Sequence, residues 1–172
     1  PFTTLRRRKE QGLKLIVIDP RRTELATQAD IHLQTRPGED PTLLAALLNV
    51  ILSRGLHDHE FCENWVAEGH LEALADAVQG FTPAYAAERC DVSQADIEEA
   101  ALLFAQGPTG TAGTGTGPSM SPYPSLMEHL VISLNVVCGR WLREGETAES
   151  RSLLQPDTPK RAQVLGPFDP LR

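Results

Sequence analysis

A chain of 172 residues with 41% hydrophobic and 23% charged side chains is long enough for one domain with a sizeable core, which excludes disorder over most of its length. Its 16 basic and 23 acidic side chains leave a formal charge of -7, which argues against a surface built to hold a nucleic-acid backbone, so no nucleic-acid partner is expected. Cys62, Cys90 and Cys138 are far apart and odd in number, so they make neither a disulfide framework nor a CxxC motif and read as reduced, partly buried thiols.

The chain opens at Pro1, and LRRRKEQG reads as the back end of a helix, with cations in the last turn where the macrodipole favours them and Gly12 as a left-handed stop. On that ground the sequence is expected to be a piece of something larger. LKLIVI follows as a near-continuous apolar run of strand length, suited to a parallel strand covered on both faces, and Pro20 stops it. A short helical stretch, RTELATQA, leads to Asp30, and IHLQTR alternates as a second, edge-ward strand ending at Pro37. Asp40-Pro41 is a helix start with the carboxylate as cap, and TLLAALLNVILSR is apolar nearly all round, as in a buried helix, closed by Gly55.

From Asp58 to Gly107 the reading is helical throughout, with starts at Thr82-Pro83 and at Ser93 followed by Asp96. PTGTAGTGTGPS is expected to be a strand running into a loop, and an apolar helix from about Ser125 to Cys138 follows it. The segment after Gly139 has scattered prolines and little periodicity. No apolar run approaches the roughly 18 residues that would cross a bilayer, so no direct membrane span is expected. The compartment, cytoplasmic or periplasmic, is not written in this segment.

Alternating strands and helices imply an α/β fold: a Rossmann-like layered domain with a mainly parallel sheet flanked by helices, part of a larger multidomain fold. Residues 1–139 are expected to form the central α/β segment, with 58–107 a helical insertion in it, and 140–172 an extended, proline-containing arm or linker. Ligands of such sheets bind at the carboxyl ends of the strands.

The stretch LIVIDPRRTELATQADIHLQTRPGED places charged groups at those ends. In dinucleotide-binding folds an acid at the tip of the second strand accepts hydrogen bonds from ribose hydroxyls, and Asp19 sits where that acid belongs. Arg21 and Arg22 add forked, permanent donors suited to a phosphate or a base carbonyl. Asp40 can take the donor edge of a base such as guanine, since a carboxylate accepts two adjacent N–H groups at once. Together these residues outline a nucleotide site. They are also what a capped turn and a helix start require, so both readings stay open on the residues alone.

GLKLIVIDPRRTELATQADIHLQTRPGEDPTLLAALLNVILSRGLHDHEF resembles the central part of the molybdopterin oxidoreductases, the dimethyl-sulfoxide reductase superfamily that includes formate dehydrogenases and nitrate reductases. The likeness continues through FTPAYAAERCDVSQADIEEAALLFAQ, GTAGTGTG and LVISLNVVCGRWLREGE, and the pairing of IDPRRTELATQAD with RPGED is its most specific part. The resemblance implies a pyranopterin guanine dinucleotide carrying molybdenum or tungsten. The loop Asp19, Pro20, Arg21, Arg22 and Thr23 and the turn Gly38, Glu39 and Asp40 would hold its nucleotide end. Gly115, Thr116 and Gly117 match a strand end that approaches the cofactor where side chains would obstruct it; read without the family they are a flexible loop. His129 falls near a position where some members place a polar or cationic residue close to the metal, and capping or packing is its plainer role.

The segment holds neither the amino-terminal cysteine cluster of an iron-sulfur centre nor the cysteine, selenocysteine or serine that ligates the metal. It also lacks the family's carboxyl-terminal cofactor domain. The resemblance therefore implies the middle of a two-electron oxidoreductase acting on a small-molecule substrate, with an electron-transfer partner protein or subunit, any iron-sulfur cluster lying upstream, and no activity in the fragment by itself. Two alternatives are a metal-free structural subunit of a respiratory complex with the same fold, and a dehydrogenase domain binding a nicotinamide dinucleotide, which a GxGxxG just upstream would favour.

Overall fold

Leu43, Leu44, Ala45, Ala46, Leu47 and Leu48 are all buried, a run that only a helix surrounded on every side can accommodate. The computed structural model describes residues 2–148 and 160–161, and this helix, Asp40–Ser53, is the axis of its core. Counting helices in chain order, Phe2–Glu10 is α1 and Asp40–Ser53 is α2; then come α3 (His59–Trp65), α4 (His70–Val78), α5 (Pro83–Cys90), α6 (Gln94–Gln106), α7 (Thr116–Ser119) and α8 (Pro124–Val137). Helices α4, α5, α6 and α8 all pack on α2. Ile97, Ala100 and Ala101 of α6 and Leu130, Leu134 and Val137 of α8 supply the facing apolar surface.

The helix ends follow the local chemistry read from the sequence. Thr82 Oγ1 accepts the Tyr85 N–H at 3.2 Å and Ser93 Oγ accepts the Asp96 N–H at 3.0 Å, each satisfying an amide the helix leaves unpaired. Asp58 caps α3 in the same way through the Phe61 N–H at 2.9 Å. Gly12, at φ +97°, follows α1.

The strands β1 (Ile16–Ile18) and β2 (Ile31–Leu33) pair in parallel, Val17 opposite His32. Asp30 sits at the head of this pair. Its Oδ2 accepts the Leu15 N–H at 2.9 Å and Lys9 Nζ at 2.8 Å, which fastens α1 to the strands. Both strands are shorter than the apolar runs suggest. In the described residues β1 has β2 as its one partner, so Leu13 and Lys14 find no ladder and lie exposed. The fold of the described residues is therefore mixed and mostly helical with a small parallel sheet of two strands.

Two further expectations are corrected. Residues 108–115 form no strand: the Ala112 N–H and C=O are satisfied by the Asn135 carboxamide of α8, at 2.8 and 2.9 Å, instead of by a ladder, and Thr116–Ser119 makes a single helical turn. Asp40 does not cap α2. The cap position is Glu39, without a side-chain cap bond, and Asp40 stands in the first turn.

By its contacts the chain divides into Pro1–Gly139, described above, and Arg140–Arg172. In the second unit the Arg143 N–H donates to Glu146 Oε2 at 2.7 Å, and Thr147–Ala148 pairs antiparallel with Lys160–Arg161. The rest of the expected arm, 149–159 and 162–172, lies outside the described residues. No helix among the described residues is long and apolar enough to cross a membrane.

Candidate functional site

Parallel pairing brings the carboxyl ends of β1 and β2 side by side, and each continues into a polar turn. On the first, Asp19 Oδ1 accepts the Arg21 N–H at 2.7 Å, closing a side-chain turn directly after the strand. The Asp19 N–H reaches Leu33 C=O at 3.3 Å, and the carbonyls of Asp19 and Pro20 meet His32 Nε2 and Gln34 Nε2, both at 3.0 Å. The Asp19–Arg21 turn is thus stitched across to the second strand. Thr23 Oγ1 accepts the Ala26 N–H at 3.2 Å and starts the 3-10 turn Ala26–Gln28, so its hydroxyl is engaged in local structure.

The second tip is the turn Arg36–Asp40. Glu39 N–H donates to Arg36 C=O at 3.1 Å, and Gly38 takes φ +90°, a conformation that a side chain would strain. Glu39 spends both carboxylate oxygens inside the protein, one on Arg89 Nη2 at 2.6 Å and the other on the Thr42 hydroxyl at 2.7 Å. Asp40, half-buried, is the carboxylate left at the tip. Burial pushes its pKa above the usual carboxylate range, the amides of Asp40 and Gly38 oppose this, and the charge of Asp19 raises it further. The Asp40 carboxyl therefore lies within reach of the Asp19 charge.

Arg21 and Arg22 are exposed, and neither forms an ion pair among the described residues. Pro20, Arg21, Gln34, Thr35, Arg36, Pro37 and Asp91 wall an open depression of about 670 Å³ beside the tips. A second, of about 440 Å³, lies between Arg36, Pro37, Glu39, Glu88 and Arg89. Asp19, Arg22 and Asp40 are not in these walls. Sequence reasoning singled out neither Gln34 nor Arg89 and Asp91; Arg36 stood inside the quoted RPGED, but its bond from N–H to Cys90 C=O, at 2.9 Å, spans too much chain for any periodicity to reveal.

Gly115, Thr116 and Gly117 are exposed and belong to the turn that packs on α8. No hydrogen bond among the described residues joins them to either strand tip. A Cβ at Gly115 or Gly117 would meet no atom within 4 Å, so this chain's own packing does not require glycine at either place. His129 is exposed on α8.

Residues 2–156 match the family model described as Molybdopterin oxidoreductase. The chain belongs to the molybdopterin oxidoreductase family. It is 43% identical over 98 residues to the F420-dependent formate dehydrogenase subunit alpha of Methanocaldococcus jannaschii, a match covering 57% of this chain and 14% of that protein. It is 30% identical over 158 residues to the periplasmic nitrate reductase of Desulfovibrio desulfuricans, covering 87% of this chain and 21% of the relative. Among solved structures, acetylene hydratase from Pelobacter acetylenicus superposes with a TM-score of 0.77 at 29% identity, over 86% of this chain and 21% of that one. The chain thus spans between 14% and 21% of the relatives it matches. Membership in this family implies a molybdopterin with molybdenum or tungsten.

Proposed function

We propose that this chain is the part of a molybdenum- or tungsten-dependent oxidoreductase that anchors the guanine dinucleotide end of a pyranopterin cofactor. One observation supports the reading: the parallel strand pair ends in two polar tips, one carrying Asp19 and the other leading to Asp40, whose carboxyl is raised in pKa mainly by burial and to a lesser extent by the Asp19 charge. A half-buried carboxylate under a second negative charge is well matched by a donor-rich ligand. A purine nucleotide supplies those donors, ribose hydroxyls for Asp19 and the adjacent N–H groups of guanine for Asp40.

The rest of the donor set fits the same group. Arg21 and Arg22, without acidic partners in the described residues, suit its phosphates. Pro20 and Thr23 shape the first turn, Gly38 gives the second its bend, and Glu39 braces it from inside. Gly115, Thr116 and Gly117 would form a separate surface of close approach to the cofactor. When bound, the metal and pterin supply two-electron oxidation or reduction of a small substrate. The residues of this chain bind and orient; none is assigned an acid–base role.

In this reading the two strands are part of a Rossmann-like sheet completed by the remainder of the enzyme, with 1–139 as the central segment and 140–172 as an arm. An electron-transfer partner or subunit and any iron-sulfur cluster engage parts of the enzyme beyond this chain. The fragment by itself is inactive. The test uses the full-length protein: metal and pterin are quantified, and GMP is measured after acid hydrolysis. Asp40→Asn should retain at least about tenfold less GMP than the parent after gel filtration. Equal retention overturns the reading, and parent protein free of metal and pterin from a cofactor-competent host would point to the structural subunit.

A further inference from the structure

The turn that presents Asp40 is gripped from a distant part of the chain. Helix α5 ends at Cys90, where Asp91 adopts the left-handed conformation at φ 60°, and its last carbonyls are turned to outside partners. Cys90 C=O accepts the Arg36 N–H at 2.9 Å, and Arg89 C=O accepts Arg36 Nη1 at 3.5 Å. Cys90 Sγ donates to Glu39 C=O at 3.7 Å, and Arg89 Nη2 donates to Glu39 Oε1 at 2.6 Å. All four contacts come from one helix end and fall on Arg36 and Glu39, on either side of the Pro37–Gly38 bend. The helical insertion is therefore joined to the strand tip through its own carboxyl terminus.

We propose that Arg89 is a positioning residue for the nucleotide end of the cofactor: by holding the Glu39 carboxylate it fixes the backbone that presents Asp40. It also balances the Glu39 charge, which would otherwise repel an anionic ligand at the same turn. This inference rests on the nucleotide-anchoring reading of the two strand tips. The Arg89 side chain is 53% exposed, so its ion pair contributes little to folding and its consequence is local geometry.

The experiment compares Arg89→Met, Arg89→Lys and Asp40→Asn in full-length protein, both cofactor-loaded and produced without cofactor in a host that cannot make the pterin. Loaded Arg89→Met should release GMP-containing cofactor about five- to tenfold faster than the parent, with Arg89→Lys in between. The thermal midpoint of the cofactor-free Arg89→Met protein should stay within a few degrees of the parent. Unchanged release from Arg89→Met overturns the proposal. So does faster release matched by a large fall in the cofactor-free midpoint, which marks a merely structural role. If Asp40→Asn releases no faster, the anchoring reading itself fails; if it does and Arg89→Met does not, only the role of Arg89 fails.

Discussion

Replacing Asp30 by Asn removes the charge that fastens α1 to the strand pair carrying the site. Asp30 Oδ2 accepts Lys9 Nζ at 2.8 Å and the Leu15 N–H at 2.9 Å, and Oδ1 accepts Lys14 Nζ at 3.3 Å. Burial raises the carboxyl's pKa, but Lys9, the Leu15 amide and Lys14 outweigh it and hold the group at about 2 instead of 3.8. In a fully shielded site that displacement would contribute about 2.5 kcal/mol at neutral pH. Water reaches this one: 24% of the Asp30 side chain and 62% of Lys14 are exposed, and screening brings the contribution to about 1 kcal/mol. The folded pKa lies below the unfolded one, so the stabilisation is complete above the ordinary carboxylate range and is lost as pH falls through about 2. Urea denaturation of parent and Asp30→Asn should differ by about 1 kcal/mol at pH 7, less as the pH drops below 3.8, and least once it has fallen through about 2. A difference independent of pH, or one that grows on acidification, refutes the reasoning.

Asp40 has the opposite sign, because its pKa is raised and its ionised form costs the folded state at neutral pH. Cofactor-free Asp40→Asn protein should therefore be at least as stable as the parent at pH 7, and the advantage should shrink on acidification toward the ordinary carboxylate range; a clear loss of stability at pH 7 contradicts this. Leu48 is 0% exposed at the centre of α2, so Leu48→Ala should cost about 2–5 kcal/mol in urea denaturation, and a cost under about 1 kcal/mol would mean that the core is not built around this helix. Burial, with the charges of Glu39 and Asp40, lifts the Cys90 thiol to about 11 against the pull of Thr35 and Arg89. Iodoacetamide at pH 8 should leave Cys90 unmodified in the native protein and label it in urea; native labelling at the rate of a free thiol would count against its burial.

What could be read from the sequence was local. The caps at Thr82 and Ser93, the stop at Gly12 and the all-round apolar α2 each depend on neighbours a few residues apart, and each is found in place. The strands were read too long because β-pairing depends on partners elsewhere, and in the described residues β1 has a single one. The same dependence undid the expected glycine–threonine strand, whose backbone bonds at Ala112 go to a side chain of α8. At the site, Asp19 and Asp40 can be singled out by residue type and position, but the internal contacts of Glu39 cannot. Its partner Arg89 lies on another helix, and nothing in RPGED signals that both of its oxygens are occupied.

A structure of the full-length protein with its cofactor bound tests the anchoring at the strand tips most directly. The guanine N–H edge should lie about 3 Å from the Asp40 carboxylate, the ribose hydroxyls on Asp19, and a phosphate within reach of Arg21 or Arg22. A nucleotide seated elsewhere, with no atom in hydrogen-bonding range of Asp19 or Asp40, would contradict the claim that these strand tips anchor it.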